Sequence, residues 1–414
     1  MLPIQTIIAG LAVAGSLLHA GETQILTEDY LSRLRAEGAH AHPAAVAGKA
    51  RAAAAAQDVR AVRLWNDPMV GVGFMAADRA MRKDLGDVVL SVEQALPKRG
   101  MFEAQQRRAE AVHRAELENF RSAALAAGAE AARSAIELAL ADESISLQQT
   151  QLTWLSAMME NAKQKAADPM GSSMDALRLE TELAKDKEML DAARRDREGY
   201  ARMLNLMLGH PLDSPWPEVK LPATPPPVPI AISEIARIPH VNPKVRAMNE
   251  MASAAKAEVT MANRERQPEF SVGVGTNLYS GDGDFRNATV GLKMSLPWFN
   301  DTTYQAKISA SKNREIAAKN DVESMHHEIA SLVLSSATEA ANAAAQARAY
   351  SGEVRDKAEQ ASRSIEAAWI SSKAPLTDML DSRRMLFSIR LEQRRFIAMQ
   401  LAALEELQSI VPNR

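Results

Sequence analysis

Gln267-Pro268-Glu269-Phe270-Ser271-Val272-Gly273-Val274-Gly275 repeats, 200 residues downstream, the pattern of Asp67-Pro68-Met69-Val70-Gly71-Val72-Gly73-Phe74-Met75. Pro43/Pro243, Pro68/Pro268 and Leu96-Pro97/Leu296-Pro297 keep the same spacing without an insertion. Each copy, from Pro43 to Pro97 and from Pro243 to Pro297, reads as a helix, a strand, a polar loop and a second strand, and a long alanine-rich helix follows it. A repeat of this size implies two similar half-molecules.

All four strands share one alternation. Val70, Val72 and Phe74 oppose Gly71, Gly73 and Met75. Leu90, Val92 and Leu96 oppose Ser91, Glu93 and Ala95. Phe270, Val272 and Val274 oppose Ser271, Gly273 and Gly275. Val290, Leu292, Met294 and Leu296 oppose Thr289, Gly291, Lys293 and Ser295. Apolar on one face and polar or small on the other, over about 9 to 10 residues, is the pattern of strands that cross a bilayer. A soluble two-layer sheet also alternates, but the sequence offers no further strands to cover the apolar face. Four strands are too few to close a barrel, and lipid does not tolerate an open edge. Copies therefore pool their strands. Two copies would give eight strands around a filled interior; the serines, glycines, Glu93 and Lys293 of the inner face favour three copies, a twelve-stranded barrel and a wet lumen. Trp65, Trp298 and Phe299 fall at the strand ends where an aromatic girdle belongs.

The 414 residues carry 4% aromatics and a net charge of −3. Long helices packed through small side chains fit that composition, and nothing in it suggests nucleic-acid binding. The absence of cysteine rules out disulfides, thiolate metal sites and lipidation on an N-terminal cysteine. Residues 1–20 read as a secretory signal, with an apolar run from Ile7 to Leu18 and Leu18-His19-Ala20 at the cleavage position, although no Lys or Arg precedes the run.

Thr27 caps a short helix expected to end at Gly38, and His42-Pro43 and Asn242-Pro243 start the next helix of each half. A first repeat is expected over 21–210, a proline-rich linker over 211–229 and a second repeat over 230–414. The strands are placed at 69–76, 88–96, 269–278 and 288–296, and the long helices at 101–167, 173–208, 303–370 and 376–410. Within the first long helix a 3-4 spacing runs through Leu117, Phe120, Ala124, Ala127, Ala131, Ser134, Leu138, Ala141, Ile145, Gln148, Leu152, Leu155 and Met159, the signature of coiled-coil packing. A helix of about 67 residues reaches roughly 100 Å.

With both halves in view the chain resembles the TolC family, the outer-membrane factors of tripartite efflux pumps. The likeness rests on the repeat, on Asn242-Pro243, on 267–275, on Leu292 to Phe299 ending in Leu296-Pro297-Trp298-Phe299, on Leu204 to Leu212, and on Leu376-Thr377-Asp378-Met379-Leu380-Asp381. Short strand loops and modest length look most like the heavy-metal branch. The resemblance implies a mainly α homotrimer, with a twelve-stranded barrel in outer-membrane lipid continued by a helical barrel through the periplasm. It implies a membrane-fusion adaptor and an inner-membrane pump of RND type as partners, and neither enzymatic activity nor a cofactor.

The resemblance also places a periplasmic gate at Asp378 and Asp381, with Trp369 as its aromatic; three chains would gather six carboxylates around the axis, since i and i+3 share a helix face. The family's arginine position falls on Ala374, beside Lys373. Asp175 and Arg178 occupy the corresponding places of the first half. Adaptor contacts are expected at the two tips, Gly171-Ser172 and Lys373-Ala374-Pro375. Met158, Met159, Met170 and Met174 cluster near the first tip; thioethers suit Cu(I), but methionine is more often core filler. His40 and His42 read as surface residues, and the adjacent His326 and His327 point apart. A passive duct for heavy-metal cations is the reading, with organic compounds or a type I secretion exit as the alternative cargo. A periplasmic coiled-coil scaffold without a pore is the competing class; bilayer-length strands with wet inner faces are what a scaffold does not need.

Overall fold

The computed structural model describes residues 23–76, 86–167, 173–227, 238–281 and 283–410. The signal segment, Gly171, Ser172, Met170 and most of the first strand loop lie outside them. In order the elements are β1 (Gln24–Ile25), α1 (Glu28–Ala41), α2 (Pro43–Ala61), β2 (Met69–Ala76), β3 (Gly86–Ala95), α3 (Met101–Ala166), α4 (Met174–Leu208), β4 (Val219–Lys220), α5 (Ile238–Val241), α6 (Pro243–Glu265), β5 (Phe270–Tyr279), β6 (Phe285–Met294), α7 (Asp301–Ser351), α8 (Glu353–Ile370) and α9 (Leu376–Ile410). They form two compact units. One comprises Met1–Arg35, Glu130–Val228 and Glu339–Glu405; the other comprises Ala36–Ala129, Pro229–Thr338 and Glu406–Arg414.

The second unit holds the sheet. Its order is β2-β3-β5-β6 and every neighbouring pair is antiparallel. Each half contributes one hairpin, and β3·β5 joins the halves. β6 spans 285–294 rather than 288–296, because the hairpin tightens around a register shift at Asn277/Leu278. The helices entering the sheet are capped as their sequences dictate. Asn242 Oδ1 accepts from Lys244 N at 2.9 Å and its Nδ2 donates to the Ile410 carbonyl at 2.8 Å. His42 Nδ1 accepts from Ala44 N at 3.2 Å, which gives it a capping role in place of a plain surface one. Gly48 of α2 meets α3 closely: a Cβ there would lie 3.3 Å from Phe120 Cα. Arg108–Glu258 at 2.7 Å and Arg114–Glu250 at 2.8 Å link α3 to α6.

The first unit is helical, with a core built on Leu31, Ile136, Leu138, Leu204 and Ile397. Two buried polar nodes fix its connections. Asp142 accepts from Arg197 Nε at 2.8 Å and from Val219 N at 2.9 Å. Asn205 donates to the Leu212 and Ser214 carbonyls and accepts from Trp216 Nε1 at 2.7 Å, which binds the start of the proline-rich segment to α4. Arg35 donates through Nη1 to both carboxylate oxygens of Glu405, at 2.7 and 2.9 Å.

Four further expectations need correction. Gly38 does not end the first helix; α1 continues to Ala41. The helix expected unbroken over 303–370 is interrupted at Gly352, whose φ −105, ψ −117 lies outside the helical region, and Ser-Gly pairs are common kink points. The sheet strands are not the only ones: β1 and β4 form a two-residue parallel pair. The buried stripe of α3 also departs from the 3-4 reading, since Leu117 is exposed while Ala132, Ala135, Ala139 and Asp142 are buried.

Candidate functional sites: helix tip and strand sheet

In the first unit, α8 ends in a tight turn. Lys373 N donates to the Ala368 carbonyl at 2.7 Å and Ser372 N to that of Trp369 at 2.9 Å. Ser372 takes φ +61, the one positive φ among described residues other than glycine. The turn leaves Lys373 and Pro375 exposed and Ala374 half-buried.

Beside the turn, Trp369 is 2% exposed, packed against Leu155, Met158, Leu179, Leu376 and Met379. Its Nε1 donates to Asp175 Oδ2 at 3.4 Å. Lys165 Nζ stands 4.4 Å from the ring centroid and donates to the Trp369 carbonyl at 2.5 Å. Within this chain the indole is therefore a core side chain held by a cation and a carboxylate from the first half. Met158 belongs to the same core, Met159 packs against it and Met174 is exposed.

Asp378 and Asp381 lie one turn apart on α9 and both are exposed. Sequence reasoning overlooked their neighbour Arg384. It pairs with Asp381 at 3.1 Å and with Glu182 of α4 at 2.6 Å. The i, i+3 spacing of Asp381 and Arg384 was readable from sequence; the reach to Glu182, 202 residues away, was not. A cavity of about 140 Å³ opens beside it, lined among others by Gln148, Asp186, Met189 and Phe387. Burial, with Glu182 nearby, pushes the Asp186 carboxyl up.

In the second unit, the two faces of the sheet differ sharply. Val70 (73%), Val72 (75%), Val290 (80%) and Leu292 (69%) are exposed along the face that also carries Phe74, Leu90, Val92, Val272 and Val274. Among the described residues nothing covers that face. The opposite face carries a polar relay: Ser271 Oγ donates to Glu93 Oε1 at 2.6 Å and Lys293 Nζ donates to Glu93 Oε2. Gly273 of β5, paired with Glu93 on one side and Gly291 on the other, leaves room for the two long side chains to meet across β5. Toward the hairpin ends Asp87 pairs with Arg286 at 2.7 Å. Trp65, Trp298 and Phe299 are exposed. His326 lies against His240, ring centroids 5.0 Å apart, and His327 is exposed. No group of three His, Cys, Asp or Glu suited to a metal ion exists among the described residues, and no described helix is long and apolar enough to cross a membrane.

Comparison with known proteins fits this architecture. Residues 238–411 match the sequence profile of the Outer membrane efflux protein family. The outer-membrane channel OprN superposes with a TM-score of 0.80 at 16% identity, covering 92% of this chain and 90% of that one. The channel CusC gives 0.79 at 13% identity, covering 96% of each chain. The outer membrane protein VceC from Vibrio cholerae gives 0.77 at 14% identity, covering 92% of this chain and 96% of that one. No curated protein sequence matches the chain. The chain thus has the TolC-like fold of solved outer-membrane channels, and its second half carries the sequence pattern of the outer membrane efflux proteins.

Proposed function

We propose that this chain is the outer-membrane duct of a tripartite efflux system. The observation that carries the proposal is the uncovered, predominantly apolar face of an open four-stranded sheet whose other face carries small and charged side chains. In water such a face is an aggregation hazard; in lipid it is the wall of a barrel. Three copies close the barrel. The duct conducts passively: efflux needs a continuous water path, and the energy is supplied by an inner-membrane pump docked through a periplasmic adaptor at the helix tips, where Lys373, Ala374 and Pro375 stand.

Asp378 and Asp381 are assigned to the closed end of the duct. Arg384 tempers the charge of Asp381 there, so Asp378 is the freer carboxylate of the pair. Heavy-metal cations are the cargo class we assign, on the short strand loops and modest length that set this sequence beside the heavy-metal branch. Deleting the gene in its host tests that assignment: sensitivity to metal salts is expected to rise, and a rise for organic toxicants alone would replace the cargo while leaving the duct. The duct is tested by reconstitution. Purified protein added to a planar bilayer is expected to produce discrete ohmic conductance steps, and a trimer that never conducts would exclude it.

A further inference from the structure

The free edges of the sheet are β2 on one side and β6 on the other. By the 200-residue repeat, β2 corresponds to β5 and β6 to β3. An edge of β6 meeting β2 of a neighbouring copy is therefore the same kind of junction as β3·β5, which the structure shows in full. It is antiparallel, and its partners include Glu93↔Gly273, Ser91↔Gly275 and Val89↔Asn277. We propose that copies join edge to edge in this transferred register, placing Gly291 opposite Met75 and Lys293 opposite Gly73 of the neighbouring copy. The occupant of each edge is a second copy of this chain. The inference rests on the barrel reading above and goes beyond it by fixing which residues meet.

Barrel geometry agrees. A line perpendicular to the strands runs from Glu93 to Gly273, to Gly291, to Met75 of the next copy and on to its Asp87, six residues before its starting level. Three copies accumulate a stagger of about 18 residues over twelve strands. With strands about 4.8 Å apart and about 3.3 Å per residue this is a tilt near 45°, inside the range of membrane barrels. A seam slipped two residues in the direction that adds stagger would demand about 54°, outside that range. The hairpins themselves differ by two residues, Met69↔Glu93 against Phe270↔Met294, so the transferred register is a specific claim.

One chemical consequence follows. Glu93 and Lys293 are themselves 200 residues apart and so occupy the same position in the two repeats. Around the closed barrel they alternate, three carboxylates with three ammonium groups, at one level of the lumen. Each pair already meets within its own chain. The wall there is a charge-balanced belt instead of a ring of one sign.

The chain has no cysteine, so paired cysteines report the seam cleanly. Leu96 N donates to the Phe270 carbonyl at 2.7 Å, which makes the pairs one residue away, those on the polar face, the closer non-hydrogen-bonded kind. Their separation suits a disulfide, whereas partners displaced by two residues are too far apart. Met75→Cys with Gly291→Cys is expected to give a covalent trimer on non-reducing gels after mild oxidation. Met75→Cys with Lys293→Cys is expected to give none. Gly73→Cys with Lys293→Cys reads the same register independently, should the first pair assemble poorly; a Cβ at Gly73 meets only Val89 Cβ, at an ordinary 3.8 Å. Val89→Cys with Asn277→Cys is the control within one chain. Heat-modifiable trimers that crosslink only through the displaced pair, or through neither, would overturn the register and leave the duct standing. A wild-type chain that forms no trimer would overturn both.

Discussion

Ser372 holds a left-handed backbone, φ +61, in the turn that separates α8 from α9. Glycine adopts this region freely, while a β-branched side chain pays steric strain of about 1–2 kcal/mol. Ser372→Gly is therefore expected to leave the melting temperature of the assembled protein unchanged or raised, and Ser372→Val to lower it. Equal melting for both variants would mean that the turn relaxes in the assembly. A second residue-scale prediction concerns Arg35, whose guanidinium grips the nearly inaccessible carboxylate of Glu405. Burial pushes the Glu405 carboxyl up and Arg35 opposes that shift. Removing the cation strands a buried charge, so Arg35→Ala should destabilise by about 3–5 kcal/mol. Arg63→Ala, breaking an exposed pair with Asp67, should cost about 0–1 kcal/mol. Chemical denaturation of the two variants side by side measures the difference.

The helices and strands were largely legible because each rests on a local signal. Gln267-Pro268 stops α6, the alternation marks the strands, and Gly209 at φ +71 closes α4, whereas α2 ends at Ala61, well short of Asp67-Pro68. The register of β6, by contrast, depends on a bulge that no local rule announces. The break at Gly352 falls at Ser351-Gly352, after an alanine-rich stretch that carries a helical pattern up to it. β1 and β4 escaped because two residues carry no periodicity. At the tip, family likeness named Asp378 and Asp381 as candidates; the contacts of Lys165 with Trp369 and of Arg384 with Glu182 were not legible, because contacts across some 200 residues leave no trace in spacing. One element-scale prediction follows from the closeness of α2 to α3. Gly48→Val places a Cβ 3.3 Å from Phe120 Cα with further methyls behind it. Overpacking of this kind costs about 1–3 kcal/mol, so trimer yield should fall, whereas Gly199→Val, with open space around it, should change little apart from helix propensity.

At the scale of the whole molecule, a conducting duct would make its tip residues visible in single-channel current. If Asp378 and Asp381 line the closed end, multivalent cations should block it. Asp378→Asn should weaken the block by a trivalent cation more than Asp381→Asn, because Arg384 already engages Asp381. Single-channel recording of both variants checks the order, and undiminished block in the double variant would remove these residues from the gate. The central claim, however, is that one face of the sheet meets lipid and the other meets water. It is tested most directly by comparing Leu292→Arg with its sequence neighbour Lys293→Gln for assembly into outer-membrane fractions. An arginine facing lipid at mid-bilayer costs about 2–4 kcal/mol, while losing one exposed ion pair costs about 0–1 kcal/mol. Leu292→Arg is expected to reduce heat-modifiable trimer in the outer membrane sharply and Lys293→Gln to assemble like the wild type; equal assembly of the two would contradict a sheet with one face in lipid and the other in water.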